Sequence, residues 1–181
     1  MMLIRLSLLL SLLLTTTLLQ ASSGAHSAPW PQPLQPLGEG RFSRYFFDIY
    51  DARLFAASSS WPGQLQGALP VALELTYLRD IEAEDLVEAT AEQWQQQPQW
   101  VDHPQQQQWL ASLRQLWPDV RRGDQLAVVV DVEGLTHFYH NGSAIGVVSA
   151  PEFGRAFLDI WLSPHTSAPD LRAQLIGGEQ P

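Results

Sequence analysis

Asn141-Gly142 stands between two short alternating runs, Thr136 to Tyr139 and Ala144 to Val148. Both central residues of a two-residue hairpin link must take positive φ, and Asn followed by Gly does so at little cost. The pair therefore predicts an antiparallel hairpin. The same letters begin a formal glycosylation sequon, Asn141-Gly142-Ser143, but the turn explains them. A further strand, Gln125 to Val132, leads into the hairpin through a Glu133-Gly134 turn, so three strands form a meander. Upstream, Leu73, Leu75 and Tyr77 alternate with Ala72, Glu74 and Thr76, which predicts a strand from Val71 to Leu78. Tyr45 to Phe55 is rich in aromatic and β-forming residues and predicts one long strand.

Helical spacing fills the gaps. Leu86, Val87, Thr90, Ala91 and Trp94 share one face of a helix from Ala83 to Gln97. A second helix starts at Pro104, capped by Asp102 or His103, with Trp109, Leu110, Leu113, Leu116 and Trp117 as its stripe and Pro118 as its end. The Gln-rich pieces, Gln95 to Gln97 and Gln105 to Gln108, read as solvated helix faces. Ser149 with Glu152, and Ser167 with Asp170, have the spacing of capping boxes for two late helices, the last closed by Gly177. The sum is an antiparallel sheet with helices gathered on one face, an α+β architecture.

The first residues belong to another category. Arg5 precedes an almost wholly apolar run, Leu6 to Leu19, and small residues follow from Ala21 to Ala25. This is the pattern of a secretory signal over residues 1–25, cleaved after Ala25, in a periplasmic or secreted protein. The run is short of the roughly 20 apolar residues of a spanning anchor. Pro29, Pro31, Pro33 and Pro36 make residues 26–37 an extended tether. A single domain is expected over residues 38–178.

Composition removes several functions. The chain has no Cys, so disulfides, thiol nucleophiles and Cys-based zinc sites are out. All ten basic residues are Arg, which excludes lysine Schiff bases. The net charge of −9 and the lack of a basic stripe exclude nucleic acid as a partner. No Gly-rich phosphate loop and no Gly-x-Ser-x-Gly are present, and no cofactor or metal is expected. His137 and His140 are three apart on a predicted strand, so they point to opposite faces rather than to one metal.

Charge inside the strand from Tyr45 to Phe55 is the informative feature. Phe47, Ile49, Asp51, Arg53 and Phe55 share one face; Phe46, Asp48, Tyr50, Ala52 and Leu54 share the other. Burying an unpaired charge costs several kcal/mol. These groups therefore pair, as Asp51 and Arg53 can along their face, reach solvent, or face a wet cavity, with Asp48 and Tyr50 lining the polar wall of a pocket.

The residues that carry a family resemblance are Gly38-Glu39-Gly40-Arg41, Phe46-Phe47-Asp48-Ile49-Tyr50-Asp51-Ala52-Arg53-Leu54-Phe55 and Ala72 to Arg79. Pro118-Asp119-Val120 with Gly123-Asp124, Phe138 to Gly142 with Gly146, Phe153, Ile160-Trp161-Leu162 and Pro169-Asp170-Leu171-Arg172 complete them. Together they resemble the bacterial chalcone isomerase-like proteins, in a secreted branch. The resemblance implies an open-faced β-sandwich with a ligand cleft between sheet and helices. Relatives of this fold include plant enzymes that cyclise chalcones and fatty-acid-binding proteins. It places Arg41 where the plant enzymes carry a substrate-positioning Arg. Tyr50 and Ile160 stand where those enzymes carry Thr, and their Lys has no counterpart, which speaks against chalcone cyclisation. The expectation is a non-catalytic protein holding a small apolar carboxylate, such as a fatty acid, with Arg41, Tyr50 and Asp48 at the ligand. The alternative for Arg41 is a structural pair with Glu39 or Asp48. Two other functions stay open: an isomerase or lyase with Arg41 as electrostatic stabiliser and Tyr50 as proton donor, and an interaction protein with an envelope partner.

Overall fold

A computed structural model describes Trp30 and residues 33–177. The signal segment lies outside the described residues. Six strands form one antiparallel sheet in chain order: β1 Gln35–Arg44, β2 Phe47–Ala56, β3 Val71–Tyr77, β4 Gln125–Val130, β5 Thr136–His140 and β6 Ser143–Val148. Helices α1 Ala83–Gln95 and α2 Gln106–Leu116 connect β3 to β4; α3 Phe153–Leu162 and α4 Pro169–Leu175 follow β6. The main core lies between the sheet and these helices. This is the α+β, open-faced arrangement expected.

The meander forms as predicted. Asn141 and Gly142 take φ of 48° and 80° between β5 and β6. Asn141 Oδ1 accepts the N–H of Gln125 at 2.8 Å and its Nδ2 donates to Asp124 at 2.9 Å, which ties the turn to the start of β4. The hydrogen bond from Asn141, then that from the Arg121 N–H, holds the Asp124 carboxyl below its ordinary range. His137 and His140 lie on opposite faces, each beside its own aspartate, Asp131 and Asp124.

The N-terminal half departs from expectation. The single strand from Tyr45 to Phe55 is two strands, with Tyr45 and Phe46 as their turn. The tether ends early: Gln35, Pro36 and Leu37 belong to β1, and Trp30 is only 5% exposed, its ring 5.2 Å from Phe55. Pro36 is tolerated because β1 is an edge strand, where a missing N–H need not break a ladder. Trp30 and Leu34 instead cover a small apolar patch, with Phe55, Ala72, Ala127 and Val129, on the sheet face away from the helices.

Gly38 and Gly40 disguise β1 as a loop, and packing explains them. Both face α4. A Cβ on Gly38 would lie 2.5 Å from the Leu175 carbonyl oxygen and closer still to that of Gln174; one on Gly40 would strike Leu171 and the Gln174 side chain. The helix backbone rests directly on the strand.

The helix caps also differ. α3 has Glu152 at its N-cap and α4 has Ala168, neither with a side-chain cap bond. Ser167 Oγ donates to Gln93 Oε1 at 2.6 Å rather than capping its own helix. The second helix begins at Gln106 rather than Pro104, because Asp102 takes a φ of 56° and the chain makes turns before entering it. The Gln-rich pieces are not simply solvated. Gln97 and Gln106 are buried. Gln97 donates to the Asp159 carbonyl at 2.9 Å, Gln106 donates to the Trp100 carbonyl, and Gln95 donates to Gln106 at 3.1 Å. Amides serve there because the end of α3 and the turns between α1 and α2 present backbone carbonyls that a buried apolar residue would leave unpaired.

Two outcomes are expected. Gly38→Ala should lower stability by about 1–3 kcal/mol in urea unfolding, since the atoms it meets are helix backbone and cannot swing aside. The depressed Asp124 carboxyl contributes stability above its unfolded pKa of roughly 3.9, and that contribution disappears as pH falls through the lower folded value. Asp124→Asn should therefore flatten the loss of stability on acidification, measured by unfolding across the acid range.

Candidate ligand cavity

β1 and β2 pair in strict alternation from Gly38↔Leu54 to Phe42↔Tyr50, and then the register slips: Ser43 faces Asp48. Ile49 is the extra residue of a β-bulge. Its effect is to return Asp48 to the outer face, beside residues it would otherwise oppose.

Arg41 stands opposite Asp51 on that outer face. Its Nε lies 2.6 Å and its Nη2 3.0 Å from the two Asp51 carboxylate oxygens, and its Nη1 is 3.0 Å from Asp48. Ser43 Oγ donates to the other Asp48 oxygen at 2.6 Å. The guanidinium is held well above its usual pKa by its hydrogen bonds to Asp51 and then Asp48. Asp48 is held below the usual carboxylate range, first by Ser43 and then by Arg41. Of the two readings of Arg41, the structure shows the ion pair, with Asp48 as one partner and Asp51 as the second. Arg53 does not pair with Asp51; it lies between Glu39 at 3.7 Å and the buried Glu74 at 3.6 Å.

The inner face carries the cavity. It is a space of about 240 Å³ between sheet and helices. Leu73, Leu75, Val128 and Phe138 form the sheet wall. Leu86 and Thr90 of α1 with Phe157, Ile160 and Trp161 of α3 form the other. Neither Arg41 nor Asp48 lines it, so the expectation that Arg41 flanks the cleft and Asp48 joins Tyr50 is corrected: alternation opposite Asp51 turns Arg41 outward, and the bulge turns Asp48 outward beside it. The cation that does line it is Arg44, three residues along β1 and on the opposite face. Arg44 is exposed, with Asp85 and Ala89, where the cavity opens. Among the described residues no carboxylate pairs with Arg44.

Tyr50 lines the cavity. Its ring stacks on Phe42 at 5.2 Å and meets Tyr77 at 6.0 Å, and its oxygen accepts Trp161 Nε1–H at 2.9 Å. Burial raises the pKa of both Tyr50 and Tyr77 well above the ordinary phenol value, so both stay neutral donors. The Tyr77 side chain is 4% exposed and lines the cavity, and its hydroxyl has no hydrogen-bond partner among the described residues. Tyr50 and Tyr77 thus place two neutral phenol hydroxyls among largely apolar walls, and the charged residues that line the cavity, Arg44 and Asp85, are exposed.

The family model for chalcone isomerase-like proteins matches residues 31–177. The chain belongs to the chalcone isomerase-like family. Comparison with curated protein sequences finds no match. Among solved structures, the Arabidopsis thaliana fatty-acid binding protein superposes with a TM-score of 0.61 at 13% identity, over 83% of this chain and 90% of that one. At this identity the likeness is one of fold. Several residues that carry the family likeness prove structural here: Asp119 Oδ1 accepts the Ala83 N–H at 2.9 Å, capping α1 from afar, and Val120 bridges to Ile81.

Arg44, Tyr77, Asp85 and Trp161 are the site residues that sequence reading did not single out. Alternation starting from Phe42 would have put Arg44 on the same face, had β1 been recognised as a strand. Tyr50→Phe should cost about 1–3 kcal/mol in urea unfolding, because it leaves the buried Trp161 N–H without an acceptor.

Proposed function

We propose that this protein is an exported, non-catalytic binder of a small amphipathic carboxylate, with the apolar tail between sheet and helices and the carboxylate at Arg44. One observation carries the reading: an apolar cavity whose rim holds an arginine with no acidic partner among the described residues. Apolar walls with few convergent polar groups suit such a ligand. The fatty-acid binding named for the Arabidopsis structure supports the ligand class. A carboxylate seated deep, beside Tyr50 and Tyr77 alone, would lose its hydration without a counter-ion, at a cost of several kcal/mol. At the rim it meets a guanidinium that binds both its oxygens and keeps contact with water. The cavity volume lies slightly below the roughly 300 Å³ lower bound of typical small-molecule sites, so the tail is short or part of it protrudes. The apolar run Leu6 to Leu19 and the small residues after it support export, and the bacterial, secreted branch of the family is part of the same proposal.

The isomerase alternative loses its stabiliser, because Arg41 is engaged by two aspartates on the far side of the sheet. Mass spectrometry of organic extracts tests the binding reading. Wild type and Arg41→Gln should both carry an amphipathic acid, and Arg44→Gln should carry about tenfold to a hundredfold less, as expected for loss of a charge-assisted contact. Asp85→Asn should retain more, since it removes a like charge from the rim. Empty extracts from wild type would overturn the proposal, and equal retention in Arg44→Gln would overturn the place of the head group.

A further inference from the structure

The β1–β2 turn holds three consecutive aromatic side chains out in solvent: Tyr45 is 77% exposed, Phe46 106% and Phe47 63%. Tyr45 and Phe46 take φ of 51° and 70°. Bulky residues rarely adopt that region, and two in succession are strained. At the same end of the sheet the chain makes an equivalent turn with Asn141-Gly142, where the conformation costs little. The aromatic turn gains no burial inside the domain in return for its strain.

Charge surrounds these rings in a particular way. The Arg44 guanidinium lies 5.3 Å from the Tyr45 ring centre, and that of Arg79 lies 5.6 Å from the ring of Phe47. Neither has a carboxylate within ion-pair distance among the described residues. In a chain of net charge −9, this tip joins exposed aromatic surface to two cations that make no ion pair among the described residues.

We propose that the β1–β2 tip docks on a lipid bilayer bearing anionic headgroups. The rings of Tyr45, Phe46 and Phe47 enter the boundary between headgroups and acyl chains, where aromatic side chains are favoured. Arg44 and Arg79 meet the lipid phosphates, for which a guanidinium is well shaped. The shape favours a bilayer over a protein partner: the tip is a convex point, around which a fluid surface closes but for which a protein must supply a matching pocket. Phe42, Arg44 and Ile49 of the same hairpin line the cavity, so docking would bring the cavity mouth to the surface. The docking itself does not depend on the cavity being filled.

The N-terminal apolar run can itself enter membranes, so the test must report on the tip alone. Hydrogen–deuterium exchange of the full chain, followed by mass spectrometry, reads amides 45–48 with and without vesicles of phosphatidylcholine and phosphatidylglycerol. Protection there is expected with mixed vesicles, is reduced in Arg44→Gln/Arg79→Gln, and is abolished in Tyr45→Asn/Phe46→Gly. That last variant should unfold at higher urea than wild type, because Asn-Gly relieves the turn; loss of protection in a more stable protein separates docking from a folding defect. No vesicle-dependent protection of the tip would overturn the proposal. So would equal protection in the Asn-Gly variant, equal protection by phosphatidylcholine alone, or protection that rises with protein concentration without vesicles, which would assign the tip to a second copy. Ligand retention is measured without vesicles, so either proposal can fail alone.

Discussion

An antiparallel pair preserves the face of each side chain only while its register holds, and at Ile49 it slips by one residue. Without that slip Asp48 would project with Tyr50 towards the helices, and a carboxylate would lie in an apolar cavity. With it, Asp48 and Asp51 flank Arg41 on the outer face, and Phe42 and Tyr50 stack on the inner one. The bulge therefore sorts a segment dense in charge into an ion-paired outside and a neutral inside. The apolar walls supplied by α1 and α3 are tolerable only because of that sorting.

The helices reach the sheet by two different means. α4 sits on β1 at backbone distance, which only Gly38 and Gly40 allow. α1, α2 and α3 stand further off, and aromatic side chains fill the space: Trp94, Trp109, Phe138, Phe153 and Phe157 meet mostly edge to face at 5.4–6.3 Å. Trp94 Nε1 donates to the Ala156 carbonyl at 2.8 Å, so the largest side chains also tie the helices to one another. The cavity is what remains between these two modes. Phe138, Phe157, Trp117 and Trp161 of the aromatic layer are part of its lining.

How much of this could be read from the chain depends on how local its cause is. The meander, β3 and both middle helices follow from period and turn chemistry within a few residues, and they formed close to the expected positions, with the start of α2 displaced from Pro104 to Gln106. β1 escaped because its defining constraint lies far along the chain, at Leu171, Gln174 and Leu175: glycines that look like loop residues are demanded by α4. The Tyr45-Phe46 turn escaped because its letters are strand letters, and only the pairing of β1 reveals that the chain must reverse there. The buried glutamines escaped for a related reason, since their partners are backbone carbonyls, of α3 for Gln97 and of the α1–α2 turns for Gln106, that the letters do not reveal. At the site, Tyr50 was legible from alternation, whereas Asp48 was misplaced by one face because a bulge leaves no mark in the letters. Arg41 was singled out by the family resemblance, which carries no sign of the two aspartates that pair with it on the outer face.

Arg41 and Arg44 are three residues apart on one strand, and the difference between them is physical rather than chemical. Odd spacing puts them on opposite faces. The outer face brings two carboxylates to Arg41, which satisfy its fork and leave it little to offer a ligand. The inner face brings Arg44 to the edge of an apolar space, where the nearest aromatic partner is Tyr45 and not an acid. A cation in that position keeps its hydration on one side and can exchange it for an anion without leaving a buried charge behind. The same hairpin thus supplies the paired arginine that stabilises its register, one without an ion pair among the described residues that can meet an anion, and the tyrosine that closes the cavity wall. Function in this fold is placed by the direction in which a short strand turns its side chains, more than by which side chains it contains.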